Sequence, residues 1–104
     1  MNYERAKTTE RLARELFEDD DEAFIGILNQ HAYALFHIDR FADAEAKYGE
    51  LVQFIRNQDN PDRDLLANHI VNQASAAMNQ TGRQNRALAM FDEAEAIYVE
   101  ISGT

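Results

Sequence analysis

Apolar side chains recur at helical spacing along almost the whole chain, and each stretch is bounded by residues that start or stop helices. Five helices are expected. The first, from about Tyr3 to Glu18, carries Tyr3, Ala6, Leu12, Ala13, Leu16 and Phe17 on a narrow stripe. Asp19 and Glu22 have the spacing of a capping box and open a second helix with Phe24, Ile27, Leu28, His31, Ala32 and Leu35 on one side. Asp39 offers an N-cap to a third, with Phe41, Ala44, Tyr48, Leu51, Val52 and Ile55. The connection is so short that these two helices must form an antiparallel hairpin. Asn60-Pro61-Asp62 combines a cap, a proline at a position that needs no amide, and an acid favoured by the helix dipole, so a fourth helix starts at Pro61. Its apolar positions are Leu66, Ala67, Ile70, Val71, Ala74, Ala77 and Met78, and Thr81-Gly82 ends it. A fifth helix uses Ala87, Phe91, Ala94, Ile97, Tyr98 and Ile101, and residues 102–104 remain as a tail.

The last four helices repeat. An offset of 43 residues lays Ile27 on Ile70 and superposes Asn29-Gln30 on Asn72-Gln73, Ala34 on Ala77, Arg40 on Arg83, Ala44 on Ala87, Ala46 on Ala89 and Glu50 on Glu93. Conservative matches fall between them at Leu28/Val71, Leu35/Met78 and Tyr48/Phe91. A period of this length marks a stacked helical-repeat protein. The second helix of each copy carries a small residue, an aromatic four positions on and a small or apolar residue three later: Ala44, Tyr48, Leu51, then Ala87, Phe91, Ala94. In this the chain resembles the tetratricopeptide repeat (TPR), and the longer kinesin light chain variety is closest. Asn60-Pro61-Asp62, Leu28-Asn29-Gln30-His31-Ala32 and Gly82-Arg83 answer to that variety's loop and helix motifs. Gln84 in the second copy and Asp39 in the first depart from its loop pattern, where an aromatic and a glycine are usual.

The resemblance implies an all-α fold, a five-helix TPR-like solenoid of antiparallel helix hairpins with about two and a half repeats. Residues 1–18 are then a leading or capping helix, 20–58 the first repeat and 61–102 the second, within a single domain. An unrelated five-helix bundle is the alternative. In such a stack the first helix of each pair lines the concave surface, so the second and fourth helices face a groove. Helical spacing then places Asn29, Tyr33, Phe36 and His37 with His69, Asn72, Ala76, Asn79 and Gln80 on it. Carboxamides donate and accept at once, which suits the backbone of a bound segment. The expected function is therefore non-enzymatic: an adaptor that binds a peptide or helix of another protein. Asn29, Gln30, Asn72 and Gln73 also fit a purely architectural role between adjacent helices.

Composition narrows the choices. With 45% hydrophobic residues the chain can bury a core, and one proline and four glycines favour long helices over a many-stranded fold. The absence of cysteine removes disulfides, thiolate metal sites and cysteine nucleophiles. No apolar run approaches the roughly 18 residues of a membrane span, and the N-terminus lacks a signal pattern, so a cytoplasmic location is expected. His31 and His37 share no helix face, the run Asp19–Glu22 lacks the spacing of a calcium loop, and Ser75 and Ser102 have no triad. Met78 and Met90 read as core filling, and no metal or cofactor is expected. A net charge of −9 opposes nucleic acid and anionic membranes. It also supports a second reading, an acidic inhibitor or decoy that binds a basic protein surface. A third is a homo-oligomeric assembly element, such as a homodimer, stacking through Phe17, Ile97, Tyr98 and Ile101 at the repeat ends.

Overall fold

The computed structural model describes residues 7–12 and 21–103, and these are helical apart from short connections. Residues 7–12 belong to α1; α2 (Asp21–His37), α3 (Phe41–Arg56), α4 (Arg63–Met78) and α5 (Gln84–Ser102) follow. The remainder of the first predicted helix, including Phe17, lies outside the described residues, as do Asp19 of the expected capping box and Thr104.

Helix starts differ from expectation at two places. Asp62, not Asn60, caps α4: its carboxylate accepts from the Leu65 amide at 3.0 Å, so Pro61 stands before the cap and the helix begins at Arg63. Asp39 does not cap α3. It adopts φ +63°, the left-handed conformation that closes α2, and the cap position falls to Arg40, which makes no side-chain cap bond. Gly82 has φ +83° at the matching place before α5, whose cap residue is Arg83. The 43-residue offset of the sequence thus recurs in the backbone of the two interhelix turns. At the far end α5 includes Ser102, and Gly103 at φ +76° closes it by donating to the Val99 carbonyl at 3.0 Å.

An L-residue held at positive φ is strained, and Asp tolerates it better than most. Asp39→Gly is therefore expected to raise stability by up to about 1 kcal/mol, because glycine relieves the strain at some entropic cost. Urea unfolding measures it; Asp39→Ala should instead destabilise.

From α2 onward each helix packs on the next one in the chain. Phe24 near the start of α2 meets Phe54 near the end of α3 edge-to-face at 4.9 Å, so this pair is antiparallel. The Phe41 carbonyl accepts from Gln80, and Arg63 of α4 reaches Glu100 of α5 at 2.9 Å, so the later pairs are antiparallel too. The main core joins Leu28 and Ala32 of α2, Tyr48, Leu51, Val52 and Ile55 of α3, Leu66, Ala67 and Ile70 of α4, and Ala94 and Ile97 of α5. A smaller cluster gathers Leu35, Ala44 and Ala76 under Phe36. Small residues let the helices approach: Ala32, Ala44, Ala67, Ala74, Ala77 and Ala87 are fully buried. Met78, expected in the core, is 38% exposed, because α4 ends there and its side chain has no further helix to meet. The Cα atoms span 41 × 35 × 16 Å, about two helices in the thin direction, so every helix keeps a face at the surface.

Candidate functional site

Between α2 and α4 lies a cleft of about 740 Å³. Its apolar floor comes from Ile25 and Leu65, its carboxamides from Asn29 and Gln58, and its carboxylates from Asp21, Glu22 and Asp62. The acids are there because helices begin there. Asp21 and Glu22 form the first turn of α2 and Asp62 caps α4, where carboxylates complement the dipole. Gly26 lines the cleft: a Cβ built on it meets nothing within 4 Å, so packing does not require glycine at this exposed position. His69 closes the inner wall. It is 7% exposed, stacks on Tyr48 at 6.4 Å between centroids, and has Nδ1 3.3 Å from the Asn72 amide nitrogen.

The structure brings together only some of the residues expected to form one surface. Asn29 and His69 share the cleft, and Asn72 contacts His69. Tyr33 is exposed and pairs with His37 at 4.1 Å, one turn further along α2. Phe36 is half-buried and meets Phe41 edge-to-face at 5.2 Å, which makes it part of the hairpin packing. Asn79 donates to the Ser75 carbonyl at 2.8 Å, the habit of a helix C-terminus. Gln80 lies elsewhere: its amide donates to Glu45 at 2.9 Å and to the Ala76 carbonyl at 3.1 Å. Asn79 and Gln80 lie past Met78, where α4 stops, and so leave the line of Asn72.

Two charged clusters were not foreseen. Glu45, 5% exposed, accepts from Arg83 Nε at 3.0 Å, Arg83 Nη2 at 3.1 Å, Arg86 Nε at 2.7 Å and Gln80. Burial pushes its pKa up, but these donors together hold it below the usual carboxylate range. The sequence hint was faint: two arginines three apart at the start of α5, one period after the Glu45 turn of α3. At the other side of the hairpin, His31 Nδ1 meets Glu10, which also accepts from Lys47 Nζ at 3.0 Å, while Lys47 reaches Glu50 at 2.7 Å. His31 and Lys47 are only 3% and 5% exposed. Among the described residues no group of three His, Cys, Asp or Glu side chains could hold a metal ion, and no helix is long and apolar enough to cross a membrane.

The two buried histidines make stability depend on pH. Burial first, then the Lys47 charge, lowers the pKa of His31 from 6.5, against opposing pulls from Glu50 and Asp43; burial alone lowers that of His69. Above about pH 6.5 both rings are neutral folded or unfolded, and nothing is lost. As pH falls below 6.5 the unfolded chain binds protons that the native state resists, costing about 1.4 kcal/mol per pH unit for each ring in its window. Thermal midpoints between pH 7.5 and about 5 should therefore decline in the wild type and decline less in a His31→Ala/His69→Phe variant. Comparison with family models, with curated proteins and with solved structures finds no match for this chain.

Proposed function

We propose that this chain is a TPR-like interaction module that holds a basic peptide or helix of another protein in the cleft between α2 and α4. The observation that carries the reading is the lining of that cleft: an apolar floor, carboxamides, and carboxylates from two helix starts, in a volume that admits several side chains. The carboxamides suit a peptide backbone, the acids suit lysine or arginine, and the net charge of −9 draws a cationic partner toward it. The recurrence of the left-handed turn residue and the arginine after it, at Asp39-Arg40 and Gly82-Arg83, supports the repeat reading of the fold.

The test is capture from a native lysate, with wild-type protein compared with Gly26→Leu, Asn29→Ala and Glu22→Gln forms. Gly26→Leu fills the cleft while improving helix propensity by up to about 1 kcal/mol, so it blocks without unfolding. Capture lost with Gly26→Leu and weakened by the other two supports the cleft. Capture that ignores all three but vanishes at about 0.3 M salt, where the Debye length falls below 8 Å, moves the function to the acidic decoy reading.

A further inference from the structure

A second groove, of about 480 Å³, lies between α4 and α5 and is lined by Val71, Phe91, Ala94, Glu95, Tyr98 and Val99. Shifted by the 43-residue offset, these positions are Leu28, Tyr48, Leu51, Val52, Ile55 and Arg56 of the α2–α3 hairpin. There the five apolar residues are no more than 4% exposed, in one cluster with Leu66, Ala67 and Ile70 of α4. The first groove is therefore a seat for a helix, and α4 occupies it. In the second groove Tyr98 and Val99 are 37% and 46% exposed, and no described helix covers them.

Three substitutions between the copies say what the second seat accepts. Val99 stands where Arg56 is, and Leu88, 53% exposed, stands where Glu45 is, so at both positions α5 exposes an apolar side chain where α3 carries a charge. Glu95 replaces buried Val52 on the floor. A purely aliphatic helix lying on Glu95 would bury an uncompensated carboxylate. We infer that this groove seats an amphipathic helix of a different polypeptide, bearing the Leu-Ala-x-x-Ile stripe of α4 with one lysine or arginine set opposite Glu95. A second copy of this chain is a poor donor, since its own α4 stripe is already buried within its core. The inference concerns a surface separate from the α2–α4 cleft and does not rest on it.

The probe is a peptide of residues 61–80, stapled on its solvent side to fix the helix, together with versions carrying a lysine at each stripe position in turn. Each is titrated into the full chain by fluorescence anisotropy. The parent should bind, and one lysine version should bind about tenfold more tightly, an advantage that Glu95→Gln removes. Val99→Glu should weaken every peptide about tenfold. Both positions are exposed, so unchanged circular dichroism and thermal midpoint show that these variants remain folded. The inference is overturned if no peptide saturates the protein by about 1 mM, if binding ignores both substitutions, or if the chain self-associates through this face and Val99→Glu abolishes the dimer.

Discussion

Replacing Leu51 by alanine lowers the unfolding free energy by about 3 to 4 kcal/mol, the largest loss expected from a single side chain here. Leu51 is fully buried where α2, α3, α4 and α5 converge, so truncation removes its transfer free energy and leaves a cavity that four helices cannot all close. Against a stability on the order of 5 to 15 kcal/mol for a domain of this size, the midpoint should fall by about 15 °C. Differential scanning calorimetry measures this directly. The paired control is Met78→Ala, which the apolar period of α4 makes look equally costly. Met78 is 38% exposed, and its truncation should cost less than about 1 kcal/mol. Equal losses at the two positions would contradict the end of α4 seen here.

Lys47→Ala is expected to cost about 2 to 3 kcal/mol, almost as much, for an electrostatic reason. Lys47 is 5% exposed, and its ammonium pairs with Glu10 at 3.0 Å and Glu50 at 2.7 Å. Glu50 is open to water and can rehydrate, whereas the Glu10 side chain is 13% exposed and is left beside His31 without its cation. An uncompensated buried carboxylate, rather than the lost pair itself, accounts for most of the penalty. One period along, the position of Lys47 is filled by Met90, half-buried against the main core. The geometry therefore accepts a straight apolar chain. Lys47→Met combined with Glu10→Gln should restore stability to within about 1 kcal/mol of wild type, while Lys47→Met alone remains costly. Urea unfolding of the two single variants and the double variant closes the cycle; additive losses would mean that Glu10 and Lys47 do not act as a pair.

The helices were legible because each signal was local. Period-3.6 spacing at Leu66, Ala67, Ile70 and Ala74, a proline before a capping acid, and a glycine near a helix end depend on neighbours within a few residues. The candidate cleft was legible only in part. Asn29 and His69 were found from their helix faces, but Asp21, Glu22 and Asp62 read as helix starts, and nothing local shows that α2 and α4 bring those starts to one opening. Gly26 carried no signal, since what it contributes to the cleft is the absence of a side chain.

The amino-acid sequence determined the approximate spans of α2 to α5, the pairing of neighbours through short turns, the 43-residue duplication and the acidic character. Those follow from backbone geometry, side-chain period and charge, all of which act at short range or by simple sum. Only the tertiary structure decided which charges are buried, that Asp39 takes the left-handed turn held in the other copy by Gly82, and which apolar groove is filled and which open. Glu45 and Leu88 occupy equivalent positions in the sequence, yet one is clamped by Arg83 and Arg86 and the other faces solvent. A residue's environment is set by the helix that packs against it, and among the described residues only the first copy has such a helix, α4.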